Sequence, residues 1–204
     1  MKKWKILIAI DFVILGIIIF GYFALIRPIS HPAIKINGIY INKPRDLPEI
    51  DLIDHHGKAL TKARFKDHWT LVFFGFTHCP MICPTTLDAL NKMYAILNAR
   101  LAPRLLPQVI FITIDPANDS IERLKQFINS YNPQFIGART DSSKIKNIET
   151  QLSITVSKIN GNISHNTDIL LINPKAQIQA YFPYPHYPEK MAADYQKIVE
   201  TDHK

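Results

Sequence analysis

The chain has 204 residues and a formal charge of +7, from 24 Lys and Arg against 17 Asp and Glu. The basic residues are scattered, with no stripe and no interleaved aromatics, which speaks against nucleic-acid binding. Only 7 glycines, no internal repeat and no phosphate-cradling loop exclude repeat architectures and the glycine-rich nucleotide motifs.

Residues 1–5, Met-Lys-Lys-Trp-Lys, form a short basic head. Residues 6–26 follow as an almost wholly apolar run, long enough to cross a bilayer as a helix. Three lysines before the run against Arg27 after it place the head in the cytoplasm and the remainder outside. A cleaved signal peptide is the rival reading, but its apolar region is normally shorter and ends at small residues, which Tyr22 to Arg27 do not supply. No cysteine follows to carry a lipid. The head is too short to hold a mitochondrial targeting sequence, so the expected setting is a single-pass anchor in a bacterial inner membrane, with the rest in the periplasm. Asp11 inside the span reads as a charge tolerated near the interface, or as a polar contact with a partner helix.

Residues 27–43 read as a Pro-punctuated linker with a short strand at 33–41. Residues 44–204 are then one domain of common size. Strands are expected at 49–54, 70–76, 108–115, 136–139, 154–159, 168–173 and 178–182, and helices at 84–102, 120–131, 142–152 and 188–201. A strand-helix-strand start and a late hairpin turning at Asn173–Ala176 give a mixed sheet flanked by helices, an α/β thioredoxin-like fold.

The only two cysteines, Cys79 and Cys83, lie between the apolar run Leu71–Phe74 and a helical pattern of Leu87, Leu90, Met93, Tyr94 and Leu97. With Cys79 at the helix start, Cys83 is one turn on and on the same face. A helix N-terminus favours the thiolate, the form that binds metal or attacks a disulfide. Pro80 and Pro84 suit the first turn or the approach to it. A structural disulfide is possible at this separation but would close a tiny loop of little stabilising value. Three intervening residues rather than two also set the pair apart from the C-x-x-C of thioredoxin-like oxidoreductases.

Here the sequence resembles the Sco/SenC family of copper-binding, membrane-tethered, thioredoxin-like proteins. The resemblance runs through Leu52-Ile53-Asp54-His55-His56-Gly57-Lys58, then Phe73-Phe74-Gly75-Phe76-Thr77-His78-Cys79-Pro80 to Cys83-Pro84. It continues in Thr113-Ile114-Asp115-Pro116-Ala117-Asn118-Asp119 and in Ser164-His165 before the apolar strand ending at Asn173-Pro174. It implies copper, Cu(I) or Cu(II), bound by Cys79, Cys83 and His165, a set of soft and borderline donors suited to both states. Asp115, at the end of the neighbouring strand, is expected to orient the site or hydrogen-bond a ligand. The family commonly has an acidic residue where Met81 stands and an aspartate where Ser164 stands. Losing both charges favours Cu(I), and Met81 is either an exposed hydrophobe or a weak thioether ligand.

Of the other histidines, His78 either assists Cys79 or packs in the turn. His55 and His56 read as solvated, and His31, His68, His186 and His203 as surface residues. The aromatic run 181–187 is expected to cap the sheet. The resemblance implies a copper metallochaperone that assists assembly of the copper centre of a cytochrome c oxidase. Its partners would be a copper donor protein and the copper-bearing oxidase subunit. The alternative is a periplasmic thiol-disulfide oxidoreductase, in which Cys79 attacks and Cys83 resolves through a redox-active disulfide. Against a general thioredoxin, no proline precedes the strand at 168–173, where thioredoxins place a cis-proline and this chain has His165. A peroxidase reading lacks the usual upstream proline and threonine, and redox or copper sensing without delivery fits the same residues.

Overall fold

The computed structural model describes residues 14–22, 34–159 and 162–202. The chain divides into two compact units, residues 1–33 and 34–204. In the first, residues 14–22 are helical, with Ile17, Ile18 and Phe20 exposed. Among the described residues no helix is long and apolar enough to cross a membrane, and the span expected over 6–26 lies largely outside them.

The second unit is built on an eight-stranded sheet. Its strands are β1 (Ile39–Asp46), β2 (Asp51–Asp54), β3 (Ala59–Thr61), β4 (Thr70–Gly75), β5 (Gln108–Thr113), β6 (Ile136–Arg139), β9 (Ile169–Ile172) and β10 (Gln177–Phe182), in the order β1-β10-β9-β4-β5-β6-β2-β3. β7 (Val156–Ile159) and β8 (Asn162–His165) form a separate antiparallel hairpin. Helices α1 (Ile82–Asn98), α2 (Ile121–Asn129), α3 (Ser142–Leu152) and α4 (Pro188–Asp202) complete the unit. The thioredoxin-like mixed sheet expected from the sequence is therefore present. β3 and β8 are additions to it: each is three or four residues long, and β8 carries no apolar alternation.

β4 pairs in parallel with β5 and antiparallel with β9, so it is covered at both edges. All six of its residues are buried, which explains why it reads as a continuous apolar run. Its side chains alternate between two cores. Leu71 and Phe73 pack with Leu87 and Met93 of α1, Leu124 of α2 and Tyr195 of α4. Val72 and Phe74 pack with Ile110 and Ile112 of β5 and Ile145 and Ile148 of α3. The late hairpin turns at Asn173, whose side-chain oxygen accepts from the N–H groups of Lys175 (3.0 Å) and Gln177 (3.1 Å).

The strand expected at 33–41 is β1, displaced toward the C-terminus and paired with β10. Its approach is bolted by Asp194 of α4. That buried carboxylate accepts from Asn37 N–H (2.9 Å), Asn37 Nδ2 (2.9 Å) and Gly38 N–H (2.9 Å). Gly38 is needed there, because a Cβ would stand 2.7 Å from the Tyr181 carbonyl oxygen.

Candidate metal centre

The register of β4 on β5 sets Gly75 opposite Thr113, so the loops leaving both strands emerge side by side. After β4 the chain turns through Phe76 to Cys79, where the Cys79 N–H donates to the Phe76 carbonyl at 3.3 Å. Met81 is the N-cap of α1 and Cys83 its second residue. The cysteines are free thiols, Cys79 half-buried and Cys83 0% exposed. The Cys83 N–H points at Cys79 Sγ, 3.5 Å away. Burial pushes the Cys83 thiol well above its ordinary range; a backbone hydrogen bond at Phe76 opposes the shift, and the Cys79 sulfur adds to it. Gly75 makes room for this sulfur: a Cβ there would meet Cys83 Sγ at 2.8 Å and the Phe111 ring at 2.7 Å.

The cysteine turn is held from beneath by Asp119, a carboxylate with 0% exposure. It accepts from the Thr77 N–H (3.1 Å), the Thr77 hydroxyl and the Thr113 hydroxyl. Hydrogen bonds to a buried charge are among the stronger ones, so this residue ties the β4 loop to the end of β5. The sequence displays it only as one more acid in the segment 113–119, and its burial depends on Thr77, 42 residues away.

Asp115 lies 3% exposed in the same loop and accepts from Asn118 Nδ2 (2.7 Å). His78 Nε2 stands 3.5 Å from Asp115 and His78 Nδ1 3.8 Å from Asp119, while its ring meets Phe76 edge to face. Asp115 thus reaches the residue beside Cys79.

His165 ends β8 on the separate hairpin. Its Nδ1 is 2.7 Å from the Asn166 carbonyl oxygen. A carbonyl only accepts, so Nδ1 carries the proton and Nε2 keeps the lone pair, the tautomer a metal-binding imidazole needs. Its ring lies 6.3 Å from Phe73 and 6.1 Å from Phe76, and burial lowers its pKa. Asn166 and Thr155 close the base of the hairpin: the Asn166 side-chain oxygen accepts from Thr155 N–H at 3.0 Å, and the Asn166 N–H donates to the Thr155 carbonyl at 3.2 Å.

Cys79 and His165, 86 residues apart in sequence, line one groove of about 260 Å³ together with Phe76, Met81 and Ile163. Cys83 lies outside the lining, beneath it. Among the described residues no three His, Cys, Asp or Glu side chains stand close enough together to hold a metal ion. The donor types nevertheless suit a soft metal: two sulfurs and an imidazole of the correct tautomer.

Two histidine expectations are corrected. His55 is 2% exposed rather than solvated, because its Nδ1 accepts the Gly137 N–H of β6 at 2.7 Å. His186, expected on the surface, is half-buried between α1 and the end of β10. Its Nε2–H donates to the Phe182 carbonyl (3.2 Å), and its Nδ1 faces the Thr86 hydroxyl (3.1 Å). No local pattern announces either partner. His56 and His68 are exposed as expected, and His31 and His203 lie outside the described residues.

The family model described as SCO1/SenC matches residues 42–200. A SCO2-like protein of Rickettsia typhi is 32% identical over 157 residues, covering 77% of this chain and 75% of its own. The structure of Bradyrhizobium japonicum ScoI with copper bound superposes with a TM-score of 0.66 at 28% identity, over 74% of this chain and 98% of that one. BsSco, described as a member of the Sco family of cytochrome c oxidase assembly proteins, gives 0.66 at 20% identity, over 78% and 98%.

Proposed function

Because the chain belongs to the SCO1/SenC family, we propose that it is a copper metallochaperone that binds Cu(I) or Cu(II) through Cys79, Cys83 and His165. Its cargo would pass from a copper donor protein to the copper-bearing subunit of a cytochrome c oxidase. The observation that carries this reading is the shared groove, which sets His165 over the cysteine loop despite their separation in sequence. Relatives support it: ScoI of B. japonicum has been seen with copper bound, and BsSco is described among oxidase assembly proteins. Loading would draw the β7–β8 hairpin onto the two sulfurs and release the Cys83 proton as the metal binds. Asp119 and Asp115 would hold the cysteine turn and His78 in place meanwhile.

In the same reading, residues 6–26 anchor the protein in a bacterial inner membrane and the folded unit works in the periplasm. The apolar run and its basic flank support this. Intact N-terminal residues in membrane-extracted protein are the expected result, and a mature chain starting beyond Ala24 in the soluble periplasm overturns the anchor.

A thiol-disulfide oxidoreductase is supported by the asymmetry of the free thiols, one accessible and one buried. Against it, burial keeps the Cys83 thiol protonated and so slows its attack on a mixed disulfide. Copper titration of wild type and His165→Ala separates the two. The chaperone reading expects copper affinity to fall strongly, with disulfide reduction held within about tenfold, a barrier change of roughly 1.4 kcal/mol. Normal copper binding with lost exchange activity replaces it with the reductase.

A further inference from the structure

Met81 is 69% exposed and lines the same groove as Cys79 and His165. Singly exposed apolar side chains are common; what sets this one apart is a thioether that lines the same groove as a thiol. Its backbone is fixed as the N-cap of α1, where its carbonyl accepts from the Thr85 hydroxyl (2.8 Å) and the Thr85 N–H (3.1 Å). The other lining residues, Phe76, Pro80, Ile82, Ile163 and Thr167, bring no charge and one hydroxyl. The groove therefore presents two soft sulfur atoms and one imidazole, and neither sulfur is that of Cys83, which lies covered beneath.

A thioether is a neutral, polarizable donor that suits Cu(I) and holds it loosely. We propose that Met81 and Cys79 form a capture site that takes Cu(I) from its carrier before Cys83 engages. This inference rests on the copper reading above. In the first step the carrier's ligands leave, and copper bonds the Cys79 sulfur, whose proton goes to solvent, and the Met81 sulfur. In the second, the Cys83 sulfur gives its proton to solvent and replaces the thioether on the metal. No electron is transferred, and copper remains Cu(I) throughout.

The test uses the full chain in detergent, with Cu(I) presented as its bicinchoninate complex and uptake followed by loss of that colour in a stopped-flow cell. Met81→Leu keeps the side chain apolar and removes the donor. Loading is expected to slow at least about tenfold, while final stoichiometry and equilibrium affinity stay within about threefold, because the final ligands are untouched. Loading at the wild-type rate overturns the inference. A second arm places the substitution in a Cys83→Ala background and counts sulfur neighbours by copper X-ray absorption. Two sulfurs falling to one on Met81→Leu support the capture site, and an unchanged count overturns it. Wild-type protein that takes up no Cu(I) overturns the copper reading itself, an outcome distinct from equal rates in wild type and variant.

Discussion

The two halves of the candidate centre are held in different ways. The cysteine turn grows from the most enclosed strand of the sheet and is tied down by a buried carboxylate with three hydrogen bonds. Among the described residues the hairpin carrying His165 pairs only with itself, outside the main sheet, and Asn166 and Thr155 close its base. One half grows out of the core, and the other rests on it through Val156, Ile163 and the His165 ring. In the proposed copper centre this division would keep the sulfurs in register and leave the imidazole as the adjustable member.

Perturbing the anchored half should cost most. Asp119→Ala removes a buried charged acceptor and strands the Thr77 N–H, so chemical denaturation should show a loss of about 3 kcal/mol. A loss below about 1 kcal/mol would mean that the turn is not held from beneath. Gly75→Ala is next. The added Cβ would lie 2.8 Å from Cys83 Sγ and 2.7 Å from Phe111, an overpacking that costs about 1–3 kcal/mol. It should also raise the reactivity of Cys83 toward a small alkylating agent.

The third prediction concerns scaffold remote from both halves. Burial lowers the pKa of His55, with His56 and Lys125 acting in the same direction and Asp54 opposing them. The unfolded chain then binds the extra proton first as pH falls. The stability contributed is full above the ordinary value of about 6.5 and is lost on acidification toward the lower folded value, at up to about 1.4 kcal/mol per pH unit. Denaturation midpoints between pH 7.5 and 5 should show this slope, reduced in His55→Asn; an identical slope would assign it to other groups, such as His165 and His186, whose burial acts in the same sense. The smallest effect belongs to the hairpin. Asn166→Ala should cost under about 1 kcal/mol globally, yet hydrogen exchange at the Thr155 amide should quicken about tenfold while the Thr77 amide is unchanged. Equal acceleration at both would erase the distinction between the halves.

The sequence made the anchored half legible and the adjustable half only in part. β4, β6 and α3 could be read because an apolar run or a helical period is a local property. The hairpin could not: β8 is a four-residue strand without alternation, held by pairing with β7 rather than by its own pattern. His165 was readable as a ligand candidate through its place after the Cys motif in a family order, not from its surroundings. Asp119, His55 and His186 escaped for a common reason. Each is buried through a partner 42, 82 or 100 residues away, and sequence displays the residue without the partner.

The Asp194 bolt bears on reach. The compact unit begins at Ile34, and Asn37 and Gly38 are fastened within a few residues to α4, away from the groove. A pull on the upstream chain is therefore taken by the C-terminal helix before it can distort the cysteine turn. In the proposed anchored arrangement the number of residues before Ile34 could then change independently of the chemistry, each added residue contributing at most about 3.5 Å of reach. If residues 6–26 anchor the protein as proposed, distance from the membrane and affinity for copper become separately adjustable quantities.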